Sequence, residues 1–303
     1  MTAITIDQLH KSYGDLHAVD GVTFEVCPGE IFGMVGPNGA GKTTTIECLE
    51  GLRRPDGGRL SVLGLDPQRQ GYELRERIGV QLQESSLPDR LKVREVMGLF
   101  AAFYRRSADS TALLDQLGLA EKSGAAFGQL SGGQKQRLFI ALALINDPEI
   151  VFLDELTTGL DPQARRAMWE LVKGVRVRGK TIFLTTHYME EAEHLCDRVA
   201  IIDHGKVVAL DTPRNLVASL DAENRIVFSL EAPVDDAPFR EIQGVTRVEQ
   251  SGGRIIIFGR GDGLLVRVVM ALDSAKIRFR DLRTEQPSLE DVFLALTGKE
   301  MRD

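Results

Sequence analysis

A glycine-rich stretch directly behind an apolar run is the feature that most constrains how this chain can fold. The run Ile31–Val35 precedes Gly36, and Gly41, Lys42 and Thr43 complete the spacing G-x-x-x-x-G-K-[ST]. Glycines let backbone N–H groups come close to a polyanion, and a following helix points the positive end of its dipole at the same anion. The stretch therefore predicts a phosphate-binding loop between a buried strand and a helix.

Two side chains of this loop have expected roles of their own. Lys42 supplies a compact positive charge for the β and γ phosphates, and the Thr43 hydroxyl is placed to bind Mg²⁺. The alternative is a glycine-rich turn that contains Lys-Thr by coincidence, which is expected in about one chain of this length in a hundred. We therefore prefer the functional interpretation.

Length and composition set further limits. A chain of 303 residues typically forms about two domains. The longest uninterrupted apolar run, Leu138–Ile145, is far shorter than the roughly 18 to 20 residues that a membrane-spanning helix needs. The amino terminus lacks the pattern of a secretion signal and the three cysteines have no paired spacing, which favours a cytoplasmic protein with free thiols. A net charge of -7 argues mildly against nucleic-acid binding.

The order of strand and helix patterns predicts two domains. Alternating strands and helices over residues 1–220 favour an α/β fold, with a largely parallel sheet covered on both faces. Within this domain, apolar residues at helical spacing indicate a helical subdomain at about residues 87–145. The polar segment 221–224 is the expected linker. Residues 225–303 follow the order β-α-β-β-α-β plus one helix, which suggests a small ferredoxin-like α+β domain.

A second apolar strand pattern ends in two carboxylates. Ile150–Leu153 precedes Asp154 and Glu155, and ligands bind at the carboxyl ends of the strands in open α/β sheets. Asp154 would hold Mg²⁺, and Glu155 would orient and deprotonate the attacking water. Alone, such a pair more often marks a strand that reaches solvent. Together with Lys42 and Thr43, the catalytic interpretation is the stronger one.

A third motif reads Leu-Ser-Gly-Gly-Gln. Ser131 can cap the helix that follows, while Gly132 and Gly133 expose its first N–H groups, giving a second anion-binding helix terminus. With the phosphate-binding loop, the Asp-Glu pair, the turn Thr158–Asp161 and a Thr-Thr-His segment, the chain resembles an ATP-binding cassette (ABC) ATPase over residues 1–220.

The resemblance implies that the chain binds and hydrolyses ATP with Mg²⁺, and that two copies enclose two ATP molecules in a head-to-tail dimer. In that family the loop Ser131–Gln134 contacts the γ-phosphate held by the other copy, so an isolated monomer should hydrolyse ATP poorly. The residues expected to bind ATP are Tyr13, Gly36, Pro37, Asn38, Gly39, Ala40, Gly41, Lys42, Thr43, Thr44, Ser131, Gly132, Gly133, Gln134 and Asp161.

The resemblance also assigns individual roles. Tyr13 matches the aromatic that stacks on adenine, with packing at a strand end as the alternative. Gln83 matches the glutamine that senses Mg²⁺ and signals to a membrane partner, and Gln81 is the competing assignment. His187 matches the switch histidine that contacts the γ-phosphate and positions Glu155, whereas a lone histidine there would usually be structural. The residues expected to be catalytic are Lys42, Gln83, Glu155 and His187, and those expected to hold Mg²⁺ are Thr43, Gln83 and Asp154.

Two residues near the Asp-Glu pair add to this interpretation. Asp161 matches the loop that crosses between subunits, and it can also cap the helix that starts at Pro162. Leu156 departs from the proline that is common in the family at this position. We expect a looser turn toward Asp161, with catalysis retained because every polar residue of the site remains.

The carboxyl-terminal half of the chain indicates which group of ABC ATPases it resembles. Pro287–Phe293, the ending Asp211–Pro213 and the second domain resemble the ATPase subunits of bacterial multidrug-type ABC exporters. This implies two copies of the chain beneath separately encoded transmembrane permease subunits, at the inner face of the cell membrane. The loop after Gln83, especially residues 87–91, would face the permease, and no nucleic-acid partner is expected.

Two other classes of function are weaker. A soluble ABC ATPase that remodels a ribosome or a nucleic-acid complex tends to carry two cassettes or a long coiled coil, and this chain has one cassette and no sustained heptads. A regulatory module that binds a nucleotide without turnover would not need Glu155 and His187. We therefore expect an exporter ATPase.

Overall fold

The computed structural model describes residues 2–82, 86–220, 223–231, 237–261 and 263–298. The chain folds into two compact units, residues 2–213 and 214–298. The division lies before the segment predicted as a linker, of which residues 221 and 222 are outside the described ones. The domain bounds 1–220 and 225–303 stay a prediction.

The first unit contains nine described strands and seven described α-helices. The strands are β1 (Ile4–Tyr13), β2 (Leu16–Val26), β3 (Ile31–Val35), β4 (Gly57–Val62), β5 (Ile78–Gln81), β6 (Ile150–Asp154), β7 (Thr181–Thr186), β8 (Arg198–Asp203) and β9 (Lys206–Asp211). The α-helices are α1 (Lys42–Leu49), α2 (Gly71–Arg75), α3 (Val93–Ala101), α4 (Ser110–Gln116), α5 (Gly132–Ala143), α6 (Pro162–Val177) and α7 (Met189–Leu195).

The central sheet of this unit has six strands in the order β5-β6-β7-β3-β8-β9. Neighbouring strands are parallel except for β9, which runs antiparallel to β8. Every residue of β3 and β6 is buried, as expected of apolar runs in a parallel sheet with both faces covered. The predicted α/β core is therefore confirmed.

A smaller antiparallel sheet, in the order β2-β1-β4, packs its apolar side chains into the same core. Phe24 of β2 stacks on Phe32 of β3 with ring centroids 4.9 Å apart, and Phe32 stacks on Phe183 of β7 at 5.7 Å. Stacked aromatic pairs add specific geometry to the burial of large apolar surfaces. This packing fixes β3, the strand that leads into the phosphate-binding loop.

A helical segment separates β5 from β6. It contains α3, α4, α5 and two short 3-10 turns, Ala120–Lys122 and Phe127–Gln129. Helix α3 buries Val93, Val96 and Met97, which recur at helical spacing. The helical part of the predicted fold is confirmed. In the described part of the whole chain, no helix has the length and apolar character needed to span a membrane.

The second unit is a small α+β structure, and helix α8 (Pro213–Ser219) begins at the point of division. Its sheet has the order β11-β12-β10-β13 with antiparallel neighbours, around a core that includes Phe228, Phe239 and Val268. This order and the β-α-β-β-α-β sequence confirm the ferredoxin-like prediction. The elements are β10 (Asn224–Leu230), α9 (Ala237–Arg240), β11 (Val245–Ser251), β12 (Arg254–Gly259), α10 (Leu264–Ser274), β13 (Phe279–Glu285) and α11 (Leu289–Thr297).

Candidate nucleotide-binding site

Three parallel strands bring the predicted site residues to one edge of the central sheet. Strand β7 lies between β3 and β6, and its register pairs Thr186 with Val35 and Thr185 with Asp154. The segments that follow these strands therefore leave the sheet side by side at its carboxyl edge. They carry the phosphate-binding loop, the Asp-Glu pair and His187.

Two glycines of the phosphate-binding loop are required by the fold of this chain itself. A Cβ atom on Gly36 would lie 2.2 Å from the carbonyl oxygen of Ile202, and one on Gly41 would lie 2.2 Å from that of Ala18. Gly41 also has a φ of +103° and immediately precedes α1. Residues with a side chain rarely adopt such a backbone conformation. Close contacts with the backbone thus exclude a side chain at both ends of the loop, which explains the two glycines of the motif.

Lys42 is buried beneath the loop. Its Nζ donates hydrogen bonds to the carbonyl oxygens of Gly36 at 2.7 Å and Pro37 at 3.1 Å, and it lies 3.5 Å from Glu155 Oε1. Burial lowers the pKa of Lys42, and the negative charge of Glu155 opposes that shift. The loop's own carbonyls therefore hold the ammonium group where phosphate oxygens can replace them as acceptors.

Glu155 joins several parts of the site. Its Oε1 faces Lys42, and its Oε2 accepts a hydrogen bond from the Thr158 hydroxyl at 3.2 Å and lies 3.3 Å from His187 Nδ1. Its φ is +50°, and its N–H donates to the carbonyl oxygen of Thr185 at 3.1 Å. A left-handed conformation is uncommon for a residue with a side chain, and such residues cluster at functional sites. The structure thus brings together three of the four residues predicted to be catalytic.

Asp154 and Thr43 provide oxygen atoms of the kind that Mg²⁺ prefers. The Thr185 hydroxyl donates a hydrogen bond to Asp154 Oδ1. Burial raises the pKa of Asp154, and hydrogen bonds from the hydroxyls of Thr185 and Thr43 oppose that shift. Among the described residues there is no group of three or more His, Cys, Asp or Glu side chains that could hold a metal. Mg²⁺ usually takes only one or two carboxylate ligands from a protein, so the few oxygen atoms here fit that ion.

An open cleft of about 360 Å³ lies over the phosphate-binding loop. Tyr13 stands at the cleft with 42% of its surface exposed, and the Arg53 guanidinium lies 5.3 Å from its ring centroid. An exposed aromatic ring on this cleft is compatible with stacking on a base, which stays a prediction. The cleft is lined by Tyr13, Leu16, Ala18, Asn38, Gly39, Gly41, Lys42, Thr43, Thr44 and Glu155.

The Ser-Gly-Gly-Gln loop is an exposed helix start outside this cleft. Ser131 Oγ accepts a hydrogen bond from the Gln134 N–H at 3.3 Å, and the Gln134 side chain accepts one from the Ser131 N–H at 3.0 Å. This reciprocal capping at the start of α5 agrees with the predicted cap. Among the described residues that line the cleft, none belongs to this loop. The structure therefore does not bring it to the phosphate-binding loop of its own chain.

Asp161 caps helix α6, as predicted. Its Oδ1 accepts hydrogen bonds from the N–H groups of Gln163 at 3.0 Å and Ala164 at 2.9 Å, and Pro162 occupies the first helical position. The carboxylate is exposed, so this structural role leaves it accessible to another molecule. Its predicted contact with a second copy stays a prediction.

Two further predictions concern glutamine and leucine residues. Gln83 lies outside the described residues, so its catalytic and metal-binding roles stay a prediction; Gln81 is buried on β5 and its amide donates to the Leu82 carbonyl oxygen at 2.6 Å. Leu156 is buried, and its carbonyl oxygen accepts a hydrogen bond from Gln136 Nε2 at 2.7 Å. This hydrogen bond ties the turn to α5 without a proline. That the turn toward Asp161 is looser than with a proline stays a prediction.

Two hydroxyl groups that contact the carboxylates had no individual role in the sequence-based interpretation. Thr158 donates to Glu155, and Thr185 donates to Asp154. A hydroxyl three residues after a carboxylate that is predicted to be catalytic is a signal that could have pointed to Thr158. Thr185 could be found only through the register of β6 and β7, because it lies on a different strand from its partner.

The sequence-based interpretation also gave no role to a buried carboxyl at the end of α1. Glu50 is 1% exposed, and among the described atoms neither of its side-chain oxygens has a hydrogen-bond partner. Burial, with smaller contributions from the charges of Asp154 and Glu47, raises the pKa of Glu50 to about 9. In the sequence it looks like any glutamate of a surface helix.

We expect the free energy of unfolding of Glu50→Gln, relative to that of the parent chain, to increase as pH rises from 6 to 8. The unfolded carboxyl loses its proton near pH 4.5, whereas the folded one keeps it to about pH 9, so unfolding releases a proton in this window and the parent chain loses stability. The slope is at most about 1.4 kcal/mol per pH unit. Urea denaturation at both pH values measures it, with Glu121→Gln at an exposed position as the control. Parallel pH dependence of Glu50→Gln and the parent chain would refute the assignment.

Relatives of known type match nearly the whole chain. A family model described as ABC transporter matches residues 19–158. Nod factor export ATP-binding protein I of Burkholderia pseudomallei (strain 1710b) is 41% identical over 309 residues, covering 99% of this chain and 98% of that protein. Daunorubicin resistance ATP-binding protein DrrA3 of Streptomyces coeruleorubidus is 39% identical over 313 residues, covering 99% and 98%.

Solved structures agree with the fold. One described as the ATP binding subunit of an ABC transporter has a TM-score of 0.65 and 29% identity, covering 72% of this chain and 93% of its own. A dimeric ATP-binding cassette in a post-hydrolysis state, bound to ADP and Pi, has a TM-score of 0.63 and 26% identity, covering 69% and 98%. The resemblance found in the motifs is confirmed. The chain belongs to the ABC transporter family and is one of its ATP-binding, ATP-hydrolysing proteins.

Proposed function

We propose that this chain powers an exporter, with two copies closing around two ATP molecules beneath separately encoded transmembrane permease subunits. The relatives named for Nod factor export and daunorubicin resistance support this proposal over the ribosome or nucleic-acid alternative. Their match extends over the second unit as well as the cassette, since it covers 99% of the chain. The chain would then work at the inner face of the cell membrane.

The contacts of the site support a division of labour in ATP hydrolysis. Lys42 would transfer its hydrogen bonds from the loop carbonyls to the β and γ phosphates, since both acceptors lie within 3.1 Å of Nζ. Glu155 would accept the proton of the attacking water, and His187 beside it would contact the γ-phosphate. Gln83 would complete the Mg²⁺ contacts as the resemblance implies.

Thr43 and Asp154 would hold Mg²⁺ between the phosphates and the end of β6. The Thr43 hydroxyl lowers the pKa of Asp154, against the effect of burial, which supports a shared role for these two oxygen ligands. An Mg²⁺ ion held by these two residues would supply positive charge against the phosphates. The carboxylate of Asp154 is buried and oriented by Thr185, so its geometry is set before a nucleotide arrives.

The two glycines of the Ser-Gly-Gly-Gln loop support the proposal that a second copy completes the site. A Cβ atom on Gly132 would meet nothing within 4 Å, and one on Gly133 would meet only the Ala164 Cβ at an ordinary 3.8 Å. Neither residue has a positive φ. Within the described chain, no steric clash therefore requires glycine at either position, in contrast to Gly36 and Gly41. We infer that the open backbone serves a ligand held by another molecule, the γ-phosphate of the partner copy.

Gly133→Ala is expected to reduce ATP turnover roughly 10-fold or more without loss of thermal stability. The methyl group fits the free chain, but it would keep the helix start from approaching a phosphate to hydrogen-bond distance. Gly174→Ala in α6 is the matched control, because a Cβ there also meets nothing within 4 Å. Its turnover should equal that of the parent chain. Steady-state phosphate release measures both, and normal turnover in Gly133→Ala would count against the shared site.

Mixing two impaired variants is an independent test of a site shared between copies. In a head-to-tail dimer of Lys42→Ala with Gly133→Ala, one of the two sites combines an intact Lys42 from one copy with an intact Gly133 from the other. Turnover should therefore be higher in the mixture than in either variant alone. A mixture as inactive as its parts would contradict a site shared between copies.

The permease partner can be identified directly. The segment 87–91 is accessible, since Leu87 is partly exposed and Pro88, Asp89 and Arg90 are exposed, and it follows the predicted Gln83 loop. We expect a tagged chain purified from membranes in mild detergent to bring down a polytopic membrane protein, identified by mass spectrometry. Arg90→Glu is expected to weaken this association. Recovery of ribosomes or DNA in place of a membrane protein would overturn the exporter proposal.

A further inference from the structure

Two cations contact the ring of Tyr13, and the roles above do not use them. Lys11 Nζ lies over the ring at 5.6 Å from its centroid, and the Arg53 guanidinium lies over it at 5.3 Å. Both distances are within the roughly 6 Å at which a cation is attracted to the π-electrons of an aromatic ring. Lys11 is on β1, two residues before Tyr13, whereas Arg53 is in the segment after α1. Charges from two separate segments therefore meet at one exposed ring.

A carboxylate fixes each of these cations. Lys11 Nζ donates a hydrogen bond to Asp56 Oδ1 at 2.7 Å, and Asp56 Oδ2 accepts one from the backbone N–H of Ser12 at 2.7 Å. Arg53 is held twice by Glu47, because its Nε donates to Oε2 at 2.5 Å and its backbone N–H donates to the carbonyl oxygen at 3.0 Å. The Lys11 side chain is also only 16% exposed. A cation that is partly shielded from water is attracted to a ring more strongly than an exposed one.

The two cations contact the ring from outside the nucleotide cleft. Tyr13 lines the cleft, whereas the described residues that line it include neither Lys11 nor Arg53. Tyr13 is 42% exposed, so part of its surface remains free for a ligand in the cleft. The ring thus has cations on one side and space for a ligand on another.

This arrangement favours a base on the free side of the ring. The faces of aromatic rings carry partial negative charge, so repulsion between two such faces opposes stacking. Positive charge behind one of the rings offsets that repulsion. In addition, a ring that two cations already hold loses less freedom when a ligand binds. Both effects raise the affinity for a base without any contact between the cations and the nucleotide.

We propose that Arg53 and Lys11 are positioning residues for the base of ATP, and that they act through Tyr13 by holding its ring and withdrawing negative charge from the face on which adenine stacks. The inference rests on the proposed function, because it needs a nucleotide in the cleft with Tyr13 as its stacking partner. The two cations set the affinity for the base and take no part in cleavage of the phosphate.

Arg53→Gln tests the proposal, because it removes the charge and keeps most of the side chain. We expect the Kd for ADP with Mg²⁺ to rise about 2- to 5-fold, the size of one cation–ring interaction near a surface. ADP is the probe because it carries the base and lacks the γ-phosphate, so no turnover disturbs the calorimetric titration. The double variant Lys11→Gln with Arg53→Gln should show a rise of about 4- to 25-fold, the product of two such effects.

Two further variants separate positioning from a general loss of charge. Arg54→Gln removes the same charge from the next residue of the same segment. Arg54 is exposed, and among the described residues Lys11 and Arg53 are the cations over the Tyr13 ring, so the Kd of Arg54→Gln should equal that of the parent chain. Arg53→Lys keeps a positive charge and should recover most of the affinity lost in Arg53→Gln. Thermal unfolding without nucleotide checks that each variant is folded, and Lys11→Gln carries the same test if Arg53→Gln does not fold.

The sharpest comparison repeats Arg53→Gln in a Tyr13→Ala background. Tyr13→Ala alone should raise the Kd for ADP roughly 5- to 150-fold, the range found for stacking of a base on an aromatic side chain. In this background Arg53→Gln should cause no further rise, because a residue that acts through another is not additive with it. A general attraction between Arg53 and the phosphates would persist without the ring.

Two results would overturn the proposal. One is an equal fold-rise of the Kd from Arg53→Gln with and without Tyr13, which would show that the cation acts elsewhere. The other is unchanged or tighter ADP binding in a folded Arg53→Gln chain while Tyr13→Ala weakens binding, which would show that the cation does not assist the stack. An unchanged Kd in Tyr13→Ala would instead contradict the nucleotide site of the proposed function on which the inference rests.

Discussion

Glu155→Gln is expected to reduce ATP turnover by roughly 10²- to 10⁴-fold, the usual contribution of a positioned general base. The amide is nearly the same size as the carboxylate and can still accept the hydrogen bond from Thr158, so the fold and the cleft should persist. It cannot take a proton from water. Phosphate release measures the loss, and binding of a fluorescent ATP analogue shows whether the nucleotide site is intact.

The expected pattern for this variant is a loss of turnover with retained ATP binding. Glu149→Gln is a suitable control, because Glu149 is a surface carboxylate paired with Arg77 away from the cleft. It should hydrolyse ATP at the parent rate. If Glu155→Gln hydrolysed ATP at the parent rate as well, another group would have to be the base and the assignment of the site would fail.

Lys42→Ala is expected to weaken ATP binding by at least about 100-fold, because charge-assisted hydrogen bonds to two phosphates are lost. The parent ammonium is already held at the loop by two carbonyl oxygens and faces Glu155 at 3.5 Å. Its removal leaves that carboxylate without its nearby cation, which adds repulsion against a polyanion. Titration calorimetry with ATP in the presence of Mg²⁺ measures the change in affinity.

Lys180→Ala controls for the loss of a lysine in general. Lys180 pairs with Asp147 at 2.6 Å and does not line the nucleotide cleft, so its removal should leave ATP affinity unchanged. Thermal unfolding of both variants without nucleotide checks that each is folded. Unchanged ATP affinity in a folded Lys42→Ala chain would contradict the interpretation of the phosphate-binding loop.

Much of the site could be predicted because its motifs are contiguous in the sequence. The phosphate-binding loop, the Asp-Glu pair and the Asp161 cap each show a local pattern, and for Asp161 the cause is local too, because it caps the helix that follows it directly. The strands before them are short apolar runs bounded by turn residues, which is why the α/β order and the ferredoxin-like unit were recognisable.

The groups that were not predicted depend on contacts between distant segments. Thr185 reaches Asp154 only through the register of two parallel strands, and Glu191 meets Trp169 only because α6 and α7 pack together. Glu50 has the sequence context of an exposed helix residue, and its burial follows from how α1 lies against the sheets. Periodicity indicates which face of a helix is apolar, but it does not identify the polar groups that meet inside the core.

We propose that a catalytic site forms between two copies of this chain when ATP is bound. Light scattering coupled to size-exclusion chromatography tests it directly on Glu155→Gln, in which ATP should bind without being cleaved. We predict twice the mass of the chain with ATP and Mg²⁺, and the mass of a single chain with ADP or in Gly133→Ala combined with Glu155→Gln. A single-chain mass with saturating ATP would contradict the claim.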